Sequence, residues 1–575
     1  MKLRSPASAH ATKMKGASTV VAVLVLVALS LHAQAAMKMT PYLQAVTTNS
    51  IYVMVECDST TAATVQYGPT TLYGSTATTE SYLATNASPV TYVHRVKLTG
   101  LSANTQYHYR ASHGGAWSSD STFYTAVQPG TPFRFAAYAD TRTQTSIHNN
   151  IAGRAKNANP RFTLMCGDTC DNSSYNSYKT EWFVSNELAL QAVAPTYNAP
   201  GNHETWGTNT KAFFQSPASS SGTQDYYSFD YGDVHILQVN NQVGYAVAPP
   251  PSQYAWASGD LAGTSKPWKI VFFHYSAYVC GGHGEDATMI QWSNNLFVPN
   301  NVDLVLTGHS HFYQHNLVNG INHYVIGTAG APYHTPCTAS YTLMSTQQYH
   351  YAVIDVTPTT LHMDVINDSG TVVDRLDLAK SIAAAKTLTD GTLVDIMGPS
   401  IVTHVPTEAG VFYAQDAAGI AGIRVEMSGT RPAVGAKVLI RGTLGTKANG
   451  ERAIQNAKIT NKGTGTTRAR GMNNRAVGGS AYVGQTGGAS SQGLIARVWG
   501  KVTKTFNDLV LGPVLWLDDG SRVESGEPDG TRGLKIIESG LSPTVGTFLK
   551  IAGVVASEKK ASQLIRVIRY RETLP

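Results

Sequence analysis

Polar side chains that can bind metal ions follow a series of apolar runs in the middle of this 575-residue chain. They stand in five short motifs, which in chain order are Asp140, Gly167-Asp168, Gly201-Asn202-His203-Glu204, His274 and Gly308-His309-Ser310-His311. Each motif follows a stretch that is typical of a buried strand, such as Phe133–Tyr138 or Leu304–Thr307. Because ligands gather at the carboxyl ends of strands in an open α/β sheet, we expect these side chains to converge on one crevice.

The donor types in these motifs indicate a particular chemistry. Carboxylate, amide and imidazole donors suit first-row transition metals better than they suit calcium alone or a thiolate zinc site. One carboxylate can bridge two ions, and such a pair lowers the pKa of a bound water and holds both oxygens of an in-line phosphoryl displacement. The sequence contains neither a Gly-x-Ser-x-Gly elbow nor a phosphate-cradling Walker loop. The pattern therefore predicts metal-assisted hydrolysis.

The elements that must position these motifs change along the chain. Residues 131–380 alternate apolar runs with helix-compatible stretches such as Glu181–Val193, which predicts a layered αββα domain. Residues 37–128 consist of short alternating runs separated by turn residues, which predicts a β-sandwich. Within it, the run from Leu101 through Thr105 to Tyr107 resembles the Leu-x-x-x-Thr-x-Tyr corner of fibronectin type III modules.

The last third of the chain is β-rich and repeats itself. Gly422-Ile423-Arg424-Val425 corresponds to Gly533-Leu534-Lys535-Ile536, and the pattern from Val434 to Gly442 recurs from Val545 to Gly553. This duplication predicts two small β-barrels of the oligonucleotide/oligosaccharide-binding (OB) type, at 386–465 and 493–575. Between them, residues 461–492 are rich in Gly, Ser, Thr and Arg, which favours a linker or a long loop.

The order of the five motifs resembles that of calcineurin-like metallophosphoesterases. With the preceding fibronectin-like module, the layout of residues 37–378 is similar to the purple acid phosphatase branch of that family. The resemblance implies a first metal held by Asp140 and His311, a bridging Asp168, and a second metal held by Asn202, His274 and His309. It also implies that His203 steers the phosphate and protonates the leaving group, and that His283 contacts the substrate.

Two positions depart from that family pattern. Asp171 stands where purple enzymes have an iron-binding tyrosine, and Arg142 stands where the broader family has a histidine. The first metal could therefore have fewer protein ligands, or it could borrow Tyr175 or Tyr178 from the following loop. Iron, zinc and manganese all stay candidates for the two metal ions.

These features lead to one principal functional hypothesis and two alternatives. We expect hydrolysis of phosphate monoesters by a metal-bound hydroxide. The first alternative keeps the site but makes the protein a phosphodiesterase or extracellular nuclease, whose basic barrels present the polymer. The second is a non-catalytic binding or adhesion protein on a decayed scaffold.

The remaining middle-domain histidines are interpreted as ordinary surface or core residues. They are His148, His315, His323, His334 and His350.

The N-terminus predicts export. Four basic residues precede an apolar run from about Ala17 to Leu31, and Ala33-Gln34-Ala35 then offers a cleavage site, so we interpret residues 1–36 as a signal peptide. The run is shorter than the ~20 residues of a membrane span. The expected location is therefore the periplasm or the external medium, with no membrane span.

The five cysteines are an odd number for an oxidising compartment, and their pairing cannot be deduced from the sequence. Cys166 and Cys170, which flank Asp168, are interpreted as a disulfide or as inert thiols.

The net charge of +6 is unevenly distributed, since residues 383–575 hold 24 Lys and Arg against 15 Asp and Glu. These basic units could contact a polyanion or a glycan, or they could be a solvated spacer. Their main candidates for stacking are Trp499 and Trp516, and the sequence leaves the oligomeric state open.

Overall fold

The computed structural model describes residues 36–244, 252–478, 490–560 and 563–575. The predicted signal peptide lies outside these residues, apart from its last position, as do residues 479–489 of the predicted linker. Within the described ranges, no helix is long and apolar enough to cross a membrane.

The N-terminal region forms two sheets that face each other. Its strands are β1 Tyr42–Gln44, β2 Ser50–Cys57, β3 Thr64–Gly68, β4 Ser75–Thr78, β5 Ser81–Ala84, β6 Tyr92–Thr99, β7 Gln106–His113, β8 Ala116–Trp117 and β9 Ser121–Tyr124. One sheet has the order β1-β2-β6-β5, and the other has the order β4-β3-β7-β8 with β9 paired to β7. Alternate residues of β2 and β6, including Val53 and Val96, pack into the core between the sheets.

The middle region contains two larger sheets. The strands of the first are β10 Phe133–Tyr138, β11 Thr163–Met165, β12 Thr196–Asn198, β20 His350–Val356, β21 Thr360–Asn367 and β22 Val372–Ala379. The strands of the second are β13 Tyr227–Tyr231, β14 Val234–Gln238, β15 Trp268–Phe272, β16 Leu304–Thr307, β17 Tyr313–Val318, β18 Ile321–Ile326 and β19 Thr342–Thr346. The apolar runs Phe133–Tyr138 and Leu304–Thr307, expected to be buried strands, are confirmed as β10 and β16.

Helices cover the outer faces of both sheets. They are α1 Thr145–Asn157, α2 Tyr175–Ser177, α3 Ser185–Gln191, α4 Thr208–Phe213, α5 Ser252–Gly263, α6 Ala287–Trp292 and α7 Ile382–Ala385, with π-helical turns at Tyr178–Trp182 and Ser293–Phe297. One core lies between the sheets, and two further cores lie between each sheet and its helices. This arrangement confirms the predicted αββα layers.

Helix α1 shows why these residues form a helix on this face. Its buried residues His148, Ile151, Ala152 and Ala155 recur at the spacing of one helical face. Arg154 and Lys156 lie in its last turn, where positive charge complements the helix dipole. The predicted helix over Glu181–Val193 is shorter in the structure, because a π-helical turn ends at Trp182 and α3 begins only at Ser185.

The C-terminal region forms two rings of five strands. The first ring consists of β23 Leu393–His404, β24 Val411–Asp416, β25 Gly422–Glu426, β26 Ala436–Thr446 and β27 Arg452–Thr464. The second consists of β29 Ile495–Asp508, β30 Gly512–Asp518, β31 Leu534–Ile537, β32 Phe548–Lys560 and β33 Gln563–Thr573, with the short β28 Arg470–Gly471 at its edge. The predicted linker is thus wrong in part, since residues 461–464 belong to β27 and residues 470–471 form β28.

Both rings have the same strand order. The first runs β23-β24-β25-β27-β26 and closes through a β23–β26 pairing, and the second runs β29-β30-β31-β33-β32 and closes through β29–β32. Counted in chain order, the third and fifth strands of each ring pair in parallel, β25 with β27 and β31 with β33. The repeated sequences lie on equivalent strands, β25 with β31 and β26 with β32. The first ring continues the first middle sheet through the parallel β22–β23 pair.

Candidate metal centre

The predicted metal ligands come from the carboxyl ends of strands in both middle sheets. Asp140, Asp168 and Asn202 follow β10, β11 and β12, which are parallel neighbours in the first sheet. The three histidines come from the second sheet, where His274 follows β15, and His309 and His311 follow β16. The two sheets bring these ends to the same edge, as the sequence predicted.

Three of these residues have strained backbone conformations. Asp140, Asp168 and His309 have φ values of 55°, 57° and 70°, in the left-handed region that non-glycine residues rarely adopt. Each such residue costs on the order of 1–3 kcal/mol, and strain of this kind clusters at functional sites. The packing of the surrounding loops holds these side chains toward a common point.

Glycines leave room for the two carboxylates. A Cβ atom at Gly201 would lie 2.1 Å from Asp168 Oδ1, and one at Gly308 would lie 2.4 Å from Asp140 Oδ2. Neither distance is compatible with a side chain. The glycines of the Gly-Asn-His-Glu and Gly-His-Ser-His motifs are therefore required by the close approach of the neighbouring carboxylates.

The two carboxylates and the histidines form a compact buried cluster. One donor atom from each of Asp140, Asp168 and His274 lies within 4.8 Å of the other two. His274 Nε2 is 3.3 Å from Asp168 Oδ1 and 3.0 Å from the side-chain oxygen of Asn202. His311 Nε2 is 3.5 Å from Asp140 Oδ1.

Backbone carbonyls fix which nitrogen of two histidines faces the cluster. His274 Nδ1 donates to the carbonyl of Cys166 at 2.9 Å, and His311 Nδ1 donates to the carbonyl of Pro332 at 2.7 Å. Both rings therefore present Nε2 to the carboxylates. In metal-binding histidines the ring nitrogen that does not bind the metal commonly donates its N–H to a carbonyl or carboxylate, which fixes the orientation of the ring.

The electrostatics of the cluster are those of a site that attracts cations. Burial disfavours a charge on Asp168, but His274 and His203 outweigh it and hold the pKa of this carboxyl well below its usual range. Burial lowers the pKa of His274, but the facing Asp168 reverses this and raises it to about 9. A cation among these groups would take over the role of that proton. Burial, with the charge of Asp168, raises the pKa of the adjoining Glu204 to about 8.

Two further histidines of the site, His309 and His283, have lowered pKa values and stay neutral to a lower pH than a free imidazole. Burial and the neighbouring His274 and His283 lower the pKa of His309 to about 2. Burial and the nearby His311 lower the pKa of His283, whose ring stacks on that of His309 with 4.1 Å between centroids. Neutral imidazoles can coordinate metals or donate a hydrogen bond without carrying charge.

His203 lies at the exposed side of the cluster. Its backbone N–H donates to Asp168 Oδ1 at 3.1 Å, and its Nδ1 donates to the carbonyl of Asp171 at 2.8 Å. Its Nε2 is 3.8 Å from Asp168 Oδ2. The ring is about one quarter exposed, so it can reach a bound substrate.

The suggestion that Tyr175 or Tyr178 serves as a metal ligand is wrong. The hydroxyl of Tyr175 donates to Glu56 Oε1 at 2.7 Å, and that of Tyr178 contacts Thr210 at 2.8 Å. The Tyr175 hydroxyl is thus bound to the N-terminal sheets and the Tyr178 hydroxyl to helix α4, so neither is available to a metal beside Asp140.

Two residues of the site were not recognised from the sequence. His334, interpreted there as an ordinary histidine, stacks on His311 with 3.9 Å between ring centroids and lies 4.7 Å from His283. Burial and the nearby His311 lower the pKa of His334 to about 4. The other four histidines are hydrogen-bonded within the fold, as expected.

Arg142 is the second residue of the site that was not recognised from the sequence. Its Nε lies 3.6 Å from Asp168 Oδ2 and one terminal nitrogen lies 3.2 Å from Asp171 Oδ1, which puts a permanent positive charge beside the cluster. The sequence marked Arg142 only as a departure from a family pattern. Nothing local in the sequence shows that its side chain turns toward Asp168.

A disulfide joins two loops that contribute to the site. Cys280 and Cys337 are bonded, and they lie three residues before His283 and three residues after His334. Cys57, Cys166 and Cys170 are free and buried, so of the two interpretations of Cys166 and Cys170 the structure has the inert thiols.

Two family profiles match the chain. Residues 133–313 match the calcineurin-like phosphoesterase family, and residues 38–125 match the purple acid phosphatase N-terminal domain. Among solved structures, the purple acid phosphatase PPD1 from yellow lupin superposes with a TM-score of 0.52 at 18% identity, covering 59% of this chain and 74% of that one. At this identity the superposition supports the fold alone.

Curated relatives carry related names. Acid phosphatase type 7 of Danio rerio is 24% identical over 400 residues, covering 58% of this chain and 88% of its own length. Purple acid phosphatase 23 of Arabidopsis thaliana is 27% identical over 286 residues, or 42% of this chain, and the match spans only 61% of that relative's length. Fe(3+)-Zn(2+) purple acid phosphatase 12 of Arabidopsis thaliana is 26% identical, covering 40% of this chain and 55% of its own length. The chain thus contains a calcineurin-like metallophosphoesterase domain preceded by a purple acid phosphatase N-terminal domain, and its relatives are purple acid phosphatases.

Proposed function

We propose that this protein hydrolyses phosphate monoesters at a centre that binds two metal ions. The observation that carries the proposal is the buried convergence of Asp140, Asp168 and His274, whose donor atoms lie within 4.8 Å of one another. Amide and imidazole donors from Asn202, His309 and His311 surround them. The convergence of six donor residues on one buried point argues against a decayed scaffold.

The residues present fit a pair of metal ions. Asp140 and His311 would hold one ion, His274, His309 and Asn202 would hold the other, and Asp168 would bridge them. The fixed tautomers of His274 and His311 support this assignment because each presents an unprotonated Nε2 once the carboxylates are shared with a cation. When bound, such a pair activates water for attack and neutralises charge on the phosphoryl oxygens.

The remaining side chains of the site would manage protons and charge. Because the Nδ1–H of His203 is committed to the carbonyl of Asp171, a second proton on this ring must lie on Nε2, from which it can pass to the leaving group. His334 Nδ1 accepts the backbone N–H of His311 at 3.1 Å, so the proton of neutral His334 lies on Nε2. The Nε2–H of His334 can therefore donate a hydrogen bond to a phosphate oxygen. Arg142 adds a positive charge beside Asp168.

The identity of the metals is inferred from the donor types and from the residue at position 171. One relative is named as an Fe(3+)-Zn(2+) enzyme. In this chain Asp171, which faces Arg142, stands at the position of the iron-binding tyrosine, and Tyr175 and Tyr178 do not replace it. We therefore propose zinc, manganese or iron for both positions and expect a colourless protein.

Several further properties belong to the same proposal. We propose export through the N-terminal segment, a fibronectin type III-like fold for residues 37–128, and OB-like barrels for the two C-terminal rings. The strand order of each ring, with its parallel third and fifth strands, supports the last of these. The basic rings would contact polyanions or glycans if the substrate is attached to a polymer.

The test measures metal content and the hydrolysis of p-nitrophenyl phosphate by the purified protein. We expect two metal ions per chain at this centre, counted as the metal that Asp168→Ala loses relative to the wild type, and a loss of activity of about 10²–10³-fold or more in Asp168→Ala and Asn202→Ala. His108→Asn serves as a matched control, because His108 lies in the N-terminal sheets, where it pairs with Asp120.

Two other results would contradict the proposal. Faster hydrolysis of bis(p-nitrophenyl) phosphate than of the monoester, by more than roughly tenfold in kcat/KM, would favour the phosphodiesterase alternative. A protein that stays metal-free and inactive after reconstitution with zinc, manganese or iron would favour the non-catalytic binding protein.

A further inference from the structure

A second cluster of metal-binding side chains lies in the N-terminal sheets, on strands other than those that carry the centre described above. It consists of Cys57 at the end of β2, His94 in β6 and His113 at the end of β7, all buried. One donor atom from each of the three lies within 4.8 Å of the other two. Strands β2 and β6 belong to one sheet and β7 to the other, so the cluster bridges the two sheets.

The histidines of this cluster are held in the tautomer that coordination requires. His94 Nε2 is 2.9 Å from the carbonyl of Ser59, and His113 Nε2 is 3.0 Å from the carbonyl of Thr61. A carbonyl can only accept, so each Nε2 carries the proton and each Nδ1 has a free lone pair. This is the hydrogen bond to a backbone carbonyl that metal-binding histidines commonly make.

One of these lone pairs has no partner. His113 Nδ1 is buried and makes no hydrogen bond within the described part of the chain, which is costly for a polar atom unless something else binds it. His94 Nδ1 contacts the hydroxyl of Thr79 at 3.0 Å. That hydroxyl also has the carbonyl of Ala63 within 3.4 Å, so Thr79 can release His94 without losing its only acceptor.

A carboxylate stands next to the unpartnered nitrogen. Asp58 Oδ1 is 4.0 Å from His113 Nδ1 and accepts the backbone N–H of Ala36 at 3.0 Å. A thiolate, a carboxylate and two neutral imidazoles would bring two negative charges to a divalent cation. The two negative charges would balance the cation, which avoids the large cost of an uncompensated charge beside the buried Cys57 and histidines. The Asp58 side chain is partly exposed, and its other carboxylate oxygen lies 3.5 Å from Lys38 Nζ.

We propose that Cys57, His94 and His113, with Asp58 as the fourth donor, form a structural zinc site that joins the two N-terminal sheets. Sulfur, nitrogen and oxygen donors in a closed set of four suit tetrahedral Zn²⁺. Zinc–ligand distances of about 2.0–2.3 Å require the donor atoms to move closer by roughly 1 Å, which side-chain rotation can supply. Cys57 would bind as the thiolate and release its proton on binding.

The position of the site suggests what it stabilises. Glu56, the neighbour of Cys57 in β2, accepts from Lys179 Nζ and from the hydroxyl of Tyr175, both at 2.7 Å. Lys179 and Tyr175 belong to the segment after β11, the strand that precedes Asp168. A metal at the end of β2 would therefore fix the strand end on which that segment rests.

Cobalt substitution in the full chain tests the proposal, because a thiolate ligand gives Co²⁺ a charge-transfer band that nitrogen and oxygen donors do not give. Metal-free protein should develop this band until its intensity corresponds to one thiolate-bound Co²⁺ per chain, and Zn²⁺ should abolish it. The band should be lost in Cys57→Ser and in His113→Gln. It should persist in Cys166→Ser and Cys170→Ser, the matched controls for the other buried thiols, and in Asp168→Ala.

Three results would overturn the proposal: no band in the wild-type protein, a band that survives in Cys57→Ser, or a band lost only when Cys166 or Cys170 is replaced. His113→Gln keeps the thiol of Cys57, so loss of the band in this variant shows that the histidine is also a ligand. Circular dichroism shows whether each variant is folded. The readout does not depend on phosphate ester hydrolysis, so the catalytic proposal can fail while this one stands.

Discussion

At the scale of single residues, we propose that the buried groups of the site bind cations and that a partly exposed histidine handles protons. Asp140 and Asp168 are buried and face imidazole nitrogens whose tautomers are fixed by carbonyls. His203 is instead partly exposed, and its Nδ1–H is tied to the carbonyl of Asp171. Its Nε2 is the ring nitrogen that we propose exchanges a proton with a leaving group.

Replacement of His203 should therefore have an effect that depends on the leaving group. We expect His203→Asn to lower kcat by about 10²-fold or more for an alkyl phosphate, whose alkoxide needs a proton, and much less for p-nitrophenyl phosphate. The measurement compares kcat for both substrates in the two proteins. An equal loss for both substrates would show that His203 only positions the phosphate or the loop.

At the scale of elements, the turns that follow the strands bring the ligands together. A methyl group at Gly201 would lie 2.1 Å from Asp168 Oδ1 and 2.3 Å from the backbone nitrogen of Asp168, and backbone cannot move away cheaply. Six residues further on, a methyl group at Gly207 would meet its nearest neighbour, Ser173 Cβ, at 3.7 Å, which is an ordinary contact.

These two glycines provide a matched pair of variants. Gly201→Ala should displace Asp168 and lower kcat/KM by about 10²-fold, the cost expected of a shift near 1 Å in a catalytic site. Gly207→Ala should keep activity and metal content near those of the wild type. Comparable activity in the two variants would contradict the view that this close approach positions the bridging carboxylate.

The disulfide acts on the same scale, because it connects the loops that carry His283 and His334. It closes a loop with a sequence separation of 57, for which chain entropy gives about 4 kcal/mol of stabilisation as an upper figure. The double variant Cys280→Ala/Cys337→Ala should lower the thermal midpoint and raise KM, since both histidines lose a fixed support. A reducing agent should lower the thermal midpoint and raise KM of the wild-type protein in the same way, and it should leave the double variant unchanged. If reduction does not change the KM of the wild-type protein, the disulfide does not shape the site.

At the scale of the whole molecule, sheets and cores connect the regions. The first C-terminal ring extends the middle sheet through β22 and β23, and the two rings share a small core that includes Tyr413 and Val554. The N-terminal sheets contact the middle region through Glu56 and through Tyr109, whose hydroxyl donates to the carbonyl of Ala192 at 2.8 Å. Loss of stability in one region should therefore affect its neighbours.

Buried histidines make the folded state sensitive to acid. Burial lowers the pKa of His350 to about 4 and that of His323 to about 3, whereas histidine in an unfolded chain titrates near 6.5. Between these values the unfolded state binds the additional protons, so the free energy of unfolding must fall as the pH falls, by roughly 3 kcal/mol for His350 by pH 4. Thermal midpoints measured from pH 7 to 4 should decrease, and His350→Asn, which keeps a donor for the carbonyl of Gln348, should flatten this slope.

His362 provides a control of opposite sign. Its hydrogen bond to Asp377 outweighs burial and raises its pKa, so its contribution is complete below pH 6.5 and is lost as the pH rises through the folded-state pKa. His362→Asn should alter the pH dependence only above pH 6.5. A flattened acid slope in His362→Asn, or an unchanged one in His350→Asn, would contradict this assignment.

The sequence by itself determined the donor set, the strands that carry it and the duplication at the C-terminus. These features are local: a buried strand, a glycine and a ligand are adjacent in the chain, so the end of the apolar run marks the place of Asp168 or His309. The predicted ligands that the structure brings together are those of the five motifs, and the layered architecture follows from the same apolar runs.

Only the tertiary structure decided which other groups join them. His334 and Arg142 reach the centre, Tyr175 and Tyr178 turn away, and Cys280 pairs with Cys337, all through contacts between segments remote in sequence. The same holds for Cys57, His94 and His113, which come from three strands in two sheets. Such contacts depend on how sheets stack and how loops turn, and no local pattern of residue types records that, because packing is set by the whole fold.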